Sequence, residues 1–127
     1  MRIRGFVAAG VAATATVAFC GSPAFAGQDA MAHTTDHAKD WGGKAMFNDD
    51  GDVFRICDLK ADARVVTAVV KIADEPDSTH YLGEYDGAGK CRNFTLNMTE
   101  GHVFKMKVCL TTGGRDYYCS NWVSGVA

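Results

Sequence analysis

Beyond its first 26 residues, this 127-residue chain has no stretch with a sustained helical period, which argues against an α-helical or α/β domain. None of its five cysteines sits close enough to another for the spacing of a structural zinc site. Basic residues form no stripe: 13 Lys and Arg stand against 15 Asp and Glu, so nucleic acid is not an expected partner. No nucleophile elbow surrounds any serine, and no two arginines adjoin as a twin-arginine export signal requires.

What is present begins with an export signature. Arg2 and Arg4 precede an Ala/Val-rich run from Gly5 to Phe19, Gly21-Ser22-Pro23 breaks it, and Ala24-Phe25-Ala26 fits a small-x-small cleavage site. Residues 1–26 are therefore expected to be a signal peptide, with Gly27 as the mature N-terminus. The rival is lipidation at Cys20, which the bulky Phe19 disfavours. Cleavage leaves 11 basic against 15 acidic side chains, a net charge of −4. It also leaves four cysteines, Cys57, Cys91, Cys109 and Cys119, an even number that reads as a disulfide framework in a small secreted chain. No stable membrane insertion is expected once the signal is gone.

Residues 27–42 are small and polar without periodicity and are expected to form a flexible leader. From Gly43 the chain consists of short alternating runs. Lys44–Phe47 and Val53–Leu59 flank the turn signal Asp50-Gly51, and Arg64–Ile72 places Val66, Ala68, Val70 and Ile72 on one parity. Tyr81–Tyr85 and Cys91–Met98 follow, the latter with Phe94, Leu96 and Met98 facing inward. With the two arms of the last hairpin this makes seven strands. The domain at 43–127 is expected to be all-β, a small antiparallel β-sandwich, immunoglobulin-like in architecture.

The anchor of that fold is the stretch His102–Val123, two apolar-alternating runs around Gly113-Gly114. A two-residue loop would send the Cys109 and Cys119 side chains to opposite faces. An odd-membered loop places them opposite each other, and sets Met106 across from Trp122 and Leu110 across from Tyr118. The hairpin thus favours Cys109–Cys119, leaving Cys57–Cys91, although four cysteines allow three connectivities. All four fall off the predicted core face, so the bridges are expected at the surface or rim. The chain-entropy model assigns about 3 kcal/mol to the hairpin bridge and about 4 kcal/mol to the wider one.

The segments Gly51-Asp52-Val53-Phe54-Arg55-Ile56-Cys57-Asp58, Ala61-Asp62, Asp86-Gly87-Ala88-Gly89-Lys90-Cys91, Leu96 to Gly101, Val108-Cys109 and Cys119-Ser120-Asn121-Trp122 resemble small exported four-cysteine proteins of streptomycetes and related actinobacteria. In that group a glycine often follows the Ala-Asp pair, where this chain has Ala63. The resemblance implies secretion, disulfides and a β fold, and carries over no active site.

Several side chains invite a chemical reading. Asn48-Asp49-Asp50-Gly51-Asp52 resembles a calcium loop, but aligning Gly51 with the invariant glycine puts Met46 and Cys57 where carboxylates are needed. A solvated turn is the expectation, with a non-EF cation site on Asp49, Asp50 and Asp52 as the rival. His33 and His37 are four apart without the glutamate of a zinc-protease helix. Ser78 lies near His80, and His102 is isolated. Asn93 and Asn97 open glycosylation triplets that read better as polar strand faces. No catalytic residue, cofactor or metal is expected. Tyr81, Tyr85 and Tyr117, with Trp41, are the candidate binding surface for an extracellular protein or polysaccharide. The function that fits is a secreted, non-enzymatic binding or interaction module. The alternative is an inhibitor of an extracellular hydrolase, presenting a loop such as Asp74–Thr79 or Thr111–Arg115.

Overall fold

The structure, a computed structural model, describes residues 27–36 and 41–127. The expected signal peptide, Cys20 and His37 lie outside the described residues. Among the described residues nine strands follow in order: β1 (Ala30–His33), β2 (Gly43–Asn48), β3 (Val53–Asp58), β4 (Val65–Ile72), β5 (His80–Glu84), β6 (Cys91–Thr95), β7 (Val103–Thr112), β8 (Arg115–Tyr117) and β9 (Val123–Val126). They form two sheets, β1-β2-β3-β6 and β5-β4-β7-β8, with β9 also paired to β7. Every pairing is antiparallel. The molecule is an all-β sandwich, and no helix among the described residues is long and apolar enough to cross a membrane.

The alternation in the sequence dictates which face is covered. Phe54 and Ile56 on β3, Val66, Ala68, Val70 and Ile72 on β4, and Phe104, Met106, Val108 and Leu110 on β7 are all buried between the sheets. Phe47, Phe54 and Phe104 meet at the centre with ring centroids 4.5–5.3 Å apart, two of the three contacts edge-on. Such contacts add about 0.5–1.5 kcal/mol to the burial itself. β6 stops at Thr95, three residues before the expected end, yet Met98 is still buried in the core.

Residues 28–35 of the expected leader are part of the sandwich. β1 pairs in full with β2, from Ala30↔Phe47 to His33↔Lys44, and buries Ala32. Upstream of it, Gln28 and Val126 exchange both backbone hydrogen bonds, at 2.8 and 3.1 Å. Downstream, the N–H of Thr35 donates to the carbonyl of Tyr118. Residues 28–35 therefore run along the open side of the sandwich and join one sheet to the other. The buried Thr34 hydroxyl accepts from the N–H of Gly43 and donates to Asp36. The Asp36 carboxyl, which also accepts from the N–H of Gly42, sits below its ordinary range: burial opposes this, and the hydrogen bonds outweigh it. In Ala-Met-Ala-His the positions that face the core are both alanine, too small to give an apolar period, which is why the strand was hidden.

Both disulfides are present: Cys57–Cys91 joins β3 to β6, and Cys109–Cys119 joins β7 to the segment between β8 and β9. Cys57 and Cys91 are direct register partners. The cysteines do leave the core face, but Cys57 and Cys109 are fully covered, so the bridges are more enclosed than a surface position implies.

The hairpin register differs from the expected one. Leu110 faces Tyr117, not Tyr118, and Thr112 faces Arg115, so the loop is the two-residue one. Gly113 and Gly114 both take positive φ, 58° and 74°, as a tight hairpin turn of that twist demands. Parity is restored by Tyr118, whose φ of 52° inserts one residue before Cys119. A second insertion follows, because pairing resumes at Met106↔Val123 rather than Met106↔Trp122. Strands β8 and β9 are thus one edge of the sheet, broken across 118–122 and bonded to β7 in the middle of the break. Ser120 fills the gap there: its N–H donates to the Val108 carbonyl at 2.9 Å, and its Oγ accepts from the Val108 N–H at 3.0 Å. Ser120→Ala is expected to lower stability by about 1–3 kcal/mol by leaving that N–H unpaired, read from a chemical-denaturation midpoint. An unchanged midpoint would show that the gap closes without the hydroxyl. Elsewhere, Ala63 takes a φ of 57°, a left-handed conformation that glycine adopts more readily.

Candidate functional site

The outer face of the five-stranded sheet carries the odd-numbered positions of β4, β5 and β7. Register sets them in rows. Lys71 lies beside Lys105, Val69 lies between Tyr81 and Lys107, and Thr67 lies between Gly83 and Cys109. Val69 points outward yet is only 6 % exposed, because its neighbours lie over it. The break between β8 and β9 turns Trp122 out over the same face. The ammonium groups of Lys105, Lys107 and Lys71 lie 4.8, 4.9 and 5.9 Å from the centre of its ring. Each is within reach of the ring's negative face, an attraction of about 0.5–1 kcal/mol at exposed sites. Among the described residues none of the three lysines makes an ion pair with a carboxylate. Three like charges around one aromatic ring form a concentrated positive spot on a chain whose whole-sequence charge is −2.

Two of the sequence-predicted aromatics join this face. Tyr81 stands 70 % exposed beside the Lys107 row. Tyr85 folds its ring back over Gly83, where a Cβ would come within 2.5 Å of the ring, so only glycine admits it. The others go elsewhere. Tyr117 shares the register position of the inward-facing Leu110, at the sheet's edge, and with Tyr118 brackets the Arg64 guanidinium at 5.7 and 5.4 Å. Trp41 stacks on His33 with ring centroids 3.8 Å apart. Trp122 was expected on the apolar face opposite Met106; the extra residues in the break put it on the other face. The signal that pointed to it was the outward parity of Lys105 and Lys107.

The remaining sequence candidates are placed as follows. The Asn48–Asp52 turn is a tight hairpin end, with Asn48 Oδ1 accepting from the N–H of Asp50 and Asp29 accepting from that of Asp49. Asp29 is held below the ordinary carboxylate range chiefly by that backbone N–H, while Asp49 is raised chiefly by its side-chain hydrogen bond to Asp29. His80 faces Glu75 at 3.7 Å and His102 contacts Asp74, so each histidine lies against a carboxylate of the β4–β5 loop. A surface concavity of about 580 Å³ lies on the opposite sheet across the row Met31, Met46, Arg55 and Asn93.

No protein-family model, no curated protein and no solved structure matches this chain.

Proposed function

We propose that this is an extracellular, non-catalytic binding module whose ligand is a negatively charged polysaccharide, held on the Trp122 face. The observation that carries the reading is the gathering of Lys71, Lys105 and Lys107 on one exposed indole, with no carboxylate among the described residues paired to them. An indole and two phenol rings offer flat surfaces for sugar rings, and the ammoniums supply counter-charges for carboxylate, sulfate or phosphate groups. Two disulfides suit an oxidising, extracellular setting, where such polymers are found. The patch is compact and the chain around it acidic, which favours a glycan over the long phosphate track of a nucleic acid.

Affinity electrophoresis of the protein spanning residues 27–127 through gels containing polygalacturonate, dextran or single-stranded DNA tests this. Retardation by polygalacturonate alone is expected, weakening as salt screens the charges. Lys105→Glu with Lys107→Glu should abolish it, Trp122→Ala should weaken it about tenfold, a loss of about 1.4 kcal/mol, and Tyr117→Ala should leave it unchanged. Equal retardation by dextran or DNA, or indifference to the lysine changes, would overturn the assignment.

A further inference from the structure

At the far end of the sandwich from the loop that carries Asp74 and Glu75, three carboxylates from three segments line one pocket of about 420 Å³. Asp58 closes β3, Asp62 lies in the β3–β4 connection, and Glu84 closes β5. Glu84 is completely buried. One of its oxygens accepts the N–H of Asp86, and the other, Oε2, has no partner. A buried carboxylate oxygen without a partner is expensive to maintain, and native structures keep such groups where something else satisfies them. Asp58 is 4 % exposed and accepts the Lys60 N–H at 3.1 Å. Burial pushes its carboxyl above the ordinary range, and the charges of Asp62 and Glu84 push it the same way. The pocket therefore gathers three carboxylates, and at Asp58 burial with the neighbouring carboxylates outweighs the backbone hydrogen bond from Lys60.

The rest of the lining says what kind of cation fits. Lys60 and Arg64 also border the pocket, and the Arg64 guanidinium lies over the rings of Tyr117 and Tyr118, 5.7 and 5.4 Å from their centres. The carboxylate oxygens of Asp58, Asp62 and Glu84 are not gathered within the 4.8 Å that one metal ion's ligands span. Among the described residues the trio that is so gathered, Cys109, Asp116 and Cys119, has its sulfurs bonded to each other. A bare metal ion is thus a poor match for the acidic pocket. A planar group with several donors spread over its edge is a good one, and Ala61, Ala63, Ala88 and Tyr85 supply apolar walls for the stem behind it.

From the orphaned Glu84 Oε2 and the carboxylates of Asp58 and Asp62 around it, we infer that this pocket binds a guanidinium group, the head of an arginine side chain or of a free guanidino compound. The buried Glu84 oxygen takes the inner edge of the fork and Asp62, nearer the mouth, the outer edge. This site is independent of the Trp122 face and stands whether or not that face binds a glycan.

The test is a titration of the ¹⁵N-labelled protein, residues 27–127, followed by amide shifts. N-acetyl-argininamide should move the amides of Asp58, Asp62, Glu84 and Asp86, while the isosteric, uncharged citrulline derivative at equal concentration should not. Glu84→Gln, which keeps shape and removes charge, should weaken the arginine response about tenfold, and the more accessible Asp62→Asn about threefold. If Glu84→Gln does not fold, the Asp62→Asn comparison decides alone. A Gly-Arg-Gly peptide binding more tightly than agmatine places the ligand on a polypeptide; the reverse order places it on a free amine. No shifts at these amides, equal shifts with the citrulline compound, or a response to calcium chloride at lower concentration than to argininamide would each refute the inference.

Discussion

A chain that starts at Trp41 is expected not to fold, whereas one that starts at Gly27 should fold. Residues 27–36 supply β1, the Gln28–Val126 bridge and the Thr34 hydroxyl that serves both Gly43 and Asp36. Removing them uncovers the flank of Ala45 and Phe47 and orphans several backbone groups of Gly43 and Val126. Each buried group left unpaired costs about 1–3 kcal/mol. A domain of this size has only about 5–15 kcal/mol of net stability, so losing three or four such partners consumes most of it. Circular dichroism and a thermal melt of the two proteins, with disulfides intact, give the answer. Coincident melting curves would show that β1 lies on the sandwich without holding it closed.

The second large effect is at the disulfides, and the two should differ. Cys57→Ala with Cys91→Ala opens a loop with a sequence separation of 34, against 10 for Cys109 and Cys119. Constraint of the unfolded chain alone gives a loss of about 4 kcal/mol for the first and about 3 kcal/mol for the second. Denaturant midpoints of the two double variants measure the order. If the Cys109/Cys119 variant is the weaker protein, then fixing the break between β8 and β9 matters more than loop length. Both sulfurs of the buried ends, Cys57 and Cys109, are packed, so alanine is a better replacement than serine in either pair.

How much of this was legible depended on side-chain size and on contacts near in sequence. The alternations of β3, β4 and β7 are carried by Phe, Val, Ile and Met, large enough that their parity reads directly as a buried face. The Cys109–Cys119 pairing also followed from parity, but through a wrong loop, and Cys57–Cys91 followed from it as the remaining pair. An odd-membered turn and a two-residue turn followed by an inserted Tyr118 give the same sulfur geometry, and nothing in Gly-Gly-Arg-Asp-Tyr-Tyr distinguishes them. The wrong loop then put Trp122 on the wrong face. Tyr81 and Tyr85 were legible as candidate surface aromatics, but the row that sets Tyr81 beside Lys107 depends on β4 lying between β5 and β7. The acidic pocket was invisible for the same reason. Asp58, Asp62 and Glu84 look like ordinary solvated acids until two sheets bring them together and Glu84 proves to be enclosed.

The interruption between β8 and β9 also bears on how copies of this protein meet one another. An incoming strand docks on a sheet by matching a continuous ladder of free N–H and C=O groups. Along this edge the ladder comes as pieces of three and four residues, offset from each other by two positions against the ten-residue β7. The lower piece is already engaged by Gln28. A second chain that aligned with one piece would be out of step with the other, so the edge offers no template for growth into a fibre. The covalent link at Cys119 keeps that offset in place when neighbouring segments fray.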